Sequence, residues 1–187
     1  MPLKILGLDA GWSRPGAVVV EVEGKVLRRL LHAEALHTVG LTTDERRKGG
    51  VTLIYKSTDD ARRMLEISDW LANLVAVYQP DLAVLELPST GGKSAAAIKG
   101  MTAAAAVAVV TFRRLGLTQA YITPQQNKWG ATRNREAQKE AMYASARKIF
   151  PDFKWPVKKK GTLDKEQAWA IADAIGCVST WSASFGS

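Results

Sequence analysis

The strongest constraint on the fold is the segment 5–11. It begins with a fully apolar run, which stops at Asp9, and a glycine follows two residues later. Such a run is typical of a buried strand, and an acid at its end is costly unless something pairs with it. A second apolar run, 82–85, stops in the same way at Glu86, and a third acid, Asp173, lies within an apolar segment near the C-terminus. If these carboxylates converge, bound Mg²⁺ or Mn²⁺ would stabilise them. Two such ions would suit the hydrolysis of a phosphodiester.

Composition narrows the class of protein. The chain of 187 residues is 47% hydrophobic and 24% charged, as expected for one globular domain over residues 1–187. A net charge of +8 favours a polyanionic partner, either nucleic acid or an anionic membrane, although a soluble basic protein without such a partner has the same balance. The single cysteine, Cys177, excludes an internal disulfide framework and a cysteine-based zinc site.

No feature of the sequence predicts a membrane protein. The longest purely apolar stretch, Ala103–Val110, is far shorter than a membrane span. The first residues run directly into a strand, so we expect no signal peptide and a cytoplasmic location.

Hydrophobic periodicity and turn residues predict strands first and then alternation of helices and strands. A polar, basic stretch, 38–58, follows the third strand and is either a hairpin extension or a loop. The order predicts an α/β fold with a mixed sheet flanked by helices. The expected strands are 4–9, 16–22, 25–36, one ending at Glu86, and 120–123, and the expected helices run from Ser57 to about Tyr78 and over 93–115, 135–149 and 165–180.

Three segments resemble the RuvC-type Holliday junction resolvases of the ribonuclease H-like superfamily. Their opening pattern, Ile-Leu-Gly-hydrophobic-Asp-x-Gly, matches residues 5–11 of this chain. Their strand that ends in Glu matches 81–86, and their Ala-Asp-Ala helix matches 172–174. Each motif is weak alone, but the order and spacing cover nearly the whole chain.

The resemblance implies a ribonuclease H-like sheet of three antiparallel strands followed by two parallel ones. It implies a homodimer that cleaves four-way DNA junctions with two Mg²⁺ or Mn²⁺ ions per site. Asp9, Glu86 and Asp173 would hold the metal, and Lys128 and Lys139 match the basic positions of the family, with roles in catalysis and DNA binding. The length of the stretch after the third strand points to a divergent, phage-encoded member, located in a bacterial or phage-infected host cell.

Further basic residues are candidates for DNA contacts. Lys158, Lys159 and Lys160 with Trp155 form a group suited to phosphate binding and base stacking, or else a disordered loop. Arg46, Arg47, Lys48 and Lys93 complete the predicted DNA-binding set, although surface cations of this kind are often only solvated.

Two departures from the family pattern concern the site. The family keeps an acid or a histidine one helical turn before the last aspartate, where this chain has Ala170. Glu166 is a candidate replacement ligand, Asp164 is another, and an engineered inactivating change at 170 is a third explanation. The bacterial enzymes also have a stacking aromatic residue near the position of Ser89, so another residue must supply any stacking here.

Two other functions remain open at this stage. Asp9-Ala10-Gly11 also resembles the first phosphate loop of actin-like ATPases and sugar kinases, but the second phosphate loop and duplicated domain of those proteins are not seen. A non-catalytic or inactivated junction-binding module of the same fold is the main alternative. Metal-dependent cleavage of a four-way junction distinguishes a nuclease from such a module.

Overall fold

The computed structural model describes residues 2–41, 56–89 and 94–185, which form one mixed five-stranded sheet with five helices. The strands are β1 (Leu3–Asp9), β2 (Gly16–Glu23), β3 (Val26–Ala35), β4 (Leu82–Glu86) and β5 (Thr118–Ile122). The helices are α1 (Lys56–Tyr78), α2 (Ala95–Arg114), α3 (Pro124–Thr132), α4 (Lys139–Ile149) and α5 (Lys165–Phe185). The first three strands are antiparallel and the last two run parallel to β1, so the predicted fold class is confirmed.

The sheet separates two apolar cores because successive side chains of a strand point to opposite faces. Its strand order is β3-β2-β1-β4-β5, which places β1 at the centre. Leu6 and Leu8 face the core that contains Leu71 of α1 and Phe112 of α2. Ile5 faces the opposite core, which is filled largely by α5 and completed by α4. The central strand is therefore covered on both faces, in agreement with its apolar run from Ile5 to Leu8.

Helix α5 approaches the sheet unusually closely because glycines lie beneath it. A Cβ atom on Gly7 would collide with the carbonyl oxygen of Ala174 and with the side chain of Val178. A Cβ atom on Gly16 would collide with the backbone of Ala170 in the same way. These two glycines allow the helix to lie directly on β1 and β2, and this contact brings Asp173 towards the end of β1.

The sequence did not predict α3, and it placed the start of α4 too early. Thr123 and Gln126 cap α3 reciprocally, and Pro124 occupies its first turn, so the start signal was present. The predicted helix 135–149 begins only at Lys139, because Asn134 accepts a hydrogen bond from the Glu136 amide at 2.9 Å and forms a turn. This local bond competes with helical pairing.

Helix α2 is long and apolar enough to cross a membrane by length and composition alone. The expectation based on the shorter run Ala103–Val110 therefore underestimated it. Core helices have the same composition, and Ala108 and Phe112 pack α2 against the sheet. Gly100 also faces the interior, where an added Cβ would lie 2.7 Å from the Trp12 ring.

A buried polar cluster ties the segment after β3 to α1. The Asp59 carboxylate, only 4% exposed, accepts hydrogen bonds from the Leu41 amide at 2.9 Å and from Arg62 at 2.7 Å. The Arg63 guanidinium lies 4.3 Å from the centre of the Trp12 ring and donates to the Trp12 carbonyl. The cluster thereby fixes the turn that directly follows Asp9.

Candidate active site

Two of the predicted carboxylates lie side by side at one edge of the sheet. Asp9 and Glu86 are the last residues of the neighbouring parallel strands β1 and β4, and they are paired in register. Both are half-buried. Parallel strands end at the same edge of a sheet, which is the usual place for a site in an α/β fold. The sequence prediction that these two acids meet is consistent with this register.

The third carboxylate, Asp173, is carried by α5 and is 6% exposed. The ammonium of Lys139, the first residue of α4, forms an ion pair with it. Burial acts to lower the pKa of Lys139, but the charges of Asp173 and Asp9, the hydrogen bond to Asp173 and the charge of Glu86 together raise it. The lysine therefore interacts electrostatically with all three carboxylates and remains a cation at neutral pH.

A cleft joins these groups to the surface. Among its lining residues are both lysines that the sequence singled out, Lys128 and Lys139, together with Glu86 and Asp173. Lys128 comes from α3, so the unpredicted helix supplies one wall of the cleft. Two cations and two carboxylates in one cleft suit a negatively charged substrate held next to metal-binding oxygens.

Sequence reasoning missed two buried residues behind the carboxylates. Asn127, 1% exposed, donates a hydrogen bond from its side-chain amide to Glu86 at 2.5 Å. Cys177 is fully buried, and its pKa is raised well above the ordinary value by burial and by the charges of Glu86, Asp9 and Asp173. It is therefore an uncharged thiol. The capping signal at the start of α3 could have placed Asn127 on a helix, but nothing in the sequence pointed it at Glu86.

A second cleft is lined by Asp9 and Lys139 and also includes Ala170, Glu166, Arg14 and His37 in its lining. Glu166 forms an ion pair with Arg14 at 2.7 Å and is 67% exposed. Ala170 is buried, with 5% exposure. The candidate ligand Glu166 thus lines the same cleft as Asp9 and is paired with Arg14. Its role in metal binding stays a prediction.

Asp164, the other candidate replacement, accepts hydrogen bonds from the backbone and side-chain amides of Gln167 at 3.4 and 3.2 Å. It precedes the first residue of α5 and acts there as a helix cap. Its role in metal binding, like that of Glu166, stays a prediction.

The remaining predicted DNA contacts are only partly described. Lys158, Lys159 and Lys160 are exposed in a turn closed by a hydrogen bond from the Lys158 amide to the Thr162 carbonyl at 2.7 Å. The ring of Trp155 packs edge-on against Tyr143 and Phe153 and is partly buried against the core. Other predicted contacts lie outside the described residues, namely Arg46, Arg47, Lys48 and Lys93.

The donor set of the first cleft fits a hard divalent cation. Carboxylate oxygens are the ligands that Mg²⁺ and Mn²⁺ prefer. Within the described ranges no three metal-ligating side chains already converge on one point. The Lys139 ammonium is paired with Asp173 and influenced by the charges of Asp9 and Glu86, so it already places one positive charge among the acids. The three acids therefore form an environment that attracts positive charge.

Comparison with known proteins identifies the fold. No protein-family model and no curated protein sequence matches the chain. Solved structures of Thermus thermophilus RuvC, one of them in complex with a Holliday junction substrate, match 95% of this chain and 92% of theirs. Their TM-scores are 0.68 and 0.66, and they are 20% and 21% identical to this chain.

A more distant resolvase supports the same assignment. The yeast mitochondrial Holliday junction resolvase Ydc2 matches 95% of this chain and 77% of its own, at a TM-score of 0.58 and 11% identity. The fold is therefore that of RuvC and Ydc2, and the resemblance seen in the three sequence motifs is confirmed at the level of the fold.

Proposed function

We propose that this protein is a divalent-metal-dependent endonuclease that cleaves branched DNA, and four-way junctions in particular. The observation that carries the proposal is the pairing of Asp9 with Glu86 at the edge of the sheet, with Asp173 and a protonated Lys139 beside them. Holliday junction resolvases are also its structural neighbours, and one was solved with a junction bound. The net charge of +8 suits a nucleic acid partner.

In this proposal Asp9, Glu86 and Asp173 hold two Mg²⁺ or Mn²⁺ ions. When bound, the ions lower the pKa of an attacking water and offset the charge on the leaving oxygen. Lys139 is released from Asp173 and donates to the scissile phosphate, where it neutralises charge that develops during cleavage. Lys128, which lines the same cleft, holds a neighbouring phosphate.

The outer surface of α3 extends the proposed DNA-binding face. Trp129, next to Lys128 in the chain, is 46% exposed, and the Arg135 guanidinium lies 5.9 Å from the centre of its ring. An exposed aromatic ring flanked by cations is suited to stacking on an unpaired base. Trp129 is therefore our candidate for the stacking residue that the region near Ser89 lacks.

We also infer that the protein acts as a homodimer, since a four-way junction presents two symmetric strands to be cut. A surface groove between α1 and α2 has apolar side chains exposed to solvent, including Leu65 at 65% and Val110 at 56%. Contiguous apolar surface of this kind is typical of an interface. The proposed interface is thus the groove, while Gly100 of the same helix faces the interior.

A non-catalytic junction-binding module is the second candidate. The observation that favours it is Ala170, which places a methyl group one helical turn before Asp173 on α5. Such a module would bind junctions through its cations without cutting them.

A labelled four-way junction incubated with the protein and Mg²⁺ tests the nuclease. We expect paired incisions that EDTA abolishes, and Asp9→Asn or Glu86→Gln should reduce the rate at least about a hundredfold, since metal ligation is worth several kcal/mol. Both variants should still bind the junction, because the loss of negative charge weakens repulsion of phosphate. Binding without metal-dependent cleavage by the parent chain would instead support the module.

A further inference from the structure

Asn127 is a buried polar residue to which the proposed mechanism gives no role. Its side-chain nitrogen donates to Oε2 of Glu86 at 2.5 Å, to the backbone carbonyl of Asp173 at 3.0 Å, and towards the sulfur of Cys177 at 3.6 Å. One amide group thus connects the end of β4 with two successive turns of α5. Both of the connected acids are among the three proposed metal ligands.

The surroundings of Asn127 select an amide and fix its orientation. Every group near the nitrogen is an acceptor, because the thiol of Cys177 already donates its proton towards the Leu8 carbonyl at 3.5 Å. The side-chain oxygen lies over Gly176, where an added Cβ would collide with it, and finds no hydrogen-bond partner within the described residues. A flipped amide would set that oxygen against the Glu86 carboxylate, so only the observed orientation avoids repulsion.

The position of Asn127 is also fixed by close packing of α3 on α5. Gly130, one turn further along α3, packs so closely on α5 that an added Cβ would overlap the Thr180 hydroxyl. The same hydroxyl donates to the backbone carbonyl of Asn127 at 3.3 Å. The capping box of Thr123 fixes the first turn of the helix. Asn127 is therefore anchored before any cation or DNA arrives.

We propose that Asn127 is a positioning residue that holds the Glu86 carboxylate in the orientation required to bind a divalent cation. A hydrogen bond to one carboxylate oxygen restricts rotation of the group, and the neutral amide leaves its negative charge intact for the metal. A lysine or arginine in the same place would compete with the cation for that charge. The inference rests on the proposed function, specifically on Glu86 as a metal ligand.

Outer hydrogen bonds of this kind are typically worth 10- to 100-fold in metal affinity. Asn127→Leu keeps most of the side-chain volume and removes both donors. Asn127→Ala also removes them but opens space in which a water molecule can donate to Glu86. If hydrogen-bond donation is what matters, the alanine variant should be the milder of the two, and if volume matters the order should be reversed.

The test is Mn²⁺ binding by isothermal titration calorimetry without DNA, with the fold of each variant checked by circular dichroism. We expect Asn127→Leu to bind Mn²⁺ about 10- to 100-fold more weakly than the parent and Asn127→Ala to fall between them. Thr180→Val is the matched control, because it removes a hydroxyl at the same contact between α3 and α5 and keeps the amide. It should lower the melting temperature without changing the affinity for Mn²⁺.

Three outcomes would overturn the inference: parent-like Mn²⁺ binding by Asn127→Leu, weaker binding by Asn127→Ala than by the leucine variant, or an equal loss of affinity in Thr180→Val. If the parent binds Mn²⁺ and the variants do not differ from it, the positioning role fails while the proposed nuclease survives. If the parent itself binds no Mn²⁺ and cuts no junction, the proposed function fails together with this inference.

Discussion

The ammonium of Lys139 is paired with the carboxylate of Asp173, at the place where the proposed metal ions would carry positive charge. The pKa of the lysine is raised by its acidic neighbours, so it remains protonated in the metal-free protein. Without it, Asp173 and the nearby Asp9 and Glu86 would repel one another. The lysine therefore has two expected roles, as a stabilising counter-ion in the absence of metal and as a phosphate ligand in its presence.

Lys139→Met should separate these roles. We expect the metal-free variant to melt a few degrees below the parent and to gain more thermal stability from added Mg²⁺, because the ions then relieve a larger repulsion. Junction cleavage should fall about 100- to 1,000-fold with the loss of a transition-state donor. Differential scanning calorimetry with and without Mg²⁺ measures the first effect, and Lys128→Met is the control that should leave it unchanged. An identical gain from Mg²⁺ in parent and variant would contradict the counter-ion role.

The sequence predicted the carboxylates because their signal is local. An apolar run that ends in an acid is visible within a few residues, and it identified Asp9 and Glu86 as strand ends. The pairing of Arg14 with Glu166 has no such signal, because the partners are separated by most of the chain and meet only after α5 packs on the sheet.

Helix α3 escaped prediction although its capping signal was present, because no hydrophobic periodicity accompanied that signal. The face that it turns towards α5 consists of Asn127 and Gly130, which are polar or small and give no hydrophobic periodicity. Helix α3 has no apolar stripe and is stabilised by close packing on Thr180 of α5, which lies far away in the sequence. Sequence patterns report burial of apolar side chains, so they overlook a helix held by small residues and hydrogen bonds.

Acid should weaken the buried polar cluster around Asp59 that ties the segment after β3 to α1. Burial acts to raise the pKa of Asp59, but hydrogen bonds from Arg62 and the Leu41 amide, together with the charges of Arg62 and Arg63, outweigh it and hold the pKa below its ordinary value of 3.8. The stabilisation is therefore fully present above pH 3.8 and is lost as the pH falls through the lower pKa of the folded state.

Asp59→Asn should remove this dependence and cost about 2 kcal/mol at neutral pH, because hydrogen bonds to a charged group are replaced. Urea unfolding at pH 7 and at pH 3 measures the difference. The gap between parent and variant should narrow at the lower pH, and a gap that widens there would contradict the assignment.

The proposed dimer makes a prediction about the groove between α1 and α2. Light scattering at micromolar concentration should give twice the chain mass, and Val110→Asp should give the monomer mass, because it places a charge among apolar side chains. Val77→Asp is the matched control, since Val77 is equally exposed at 61% but does not line the groove. A parent that remains monomeric with junction DNA bound, or a dimer unaffected by Val110→Asp, would rule out this interface.

The last prediction concerns position 170, where the methyl group of Ala170 shares a cleft with Asp9 one helical turn before Asp173. Two ions about 4 Å apart usually need more than three carboxylates, so we expect the parent chain to cleave slowly. Ala170→Asp should raise the cleavage rate strongly, because the new carboxylate joins Asp173 on one face of α5. Without metal the added charge should lower stability by repulsion, and Mg²⁺ should then stabilise the variant more than the parent.

Ser179→Asp is the control for this change, because it adds the same charge to the same helix nearly two turns beyond Asp173. It should leave both the cleavage rate and the gain from Mg²⁺ at the parent level. Single-turnover cleavage of a labelled junction and thermal melts over a range of Mg²⁺ concentrations provide the measurements. Efficient cleavage by the parent, together with slower cleavage by Ala170→Asp, would mean that water or Glu166 already completes the metal shell. The carboxylate introduced at 170 would then compete with Glu166 for the Arg14 guanidinium.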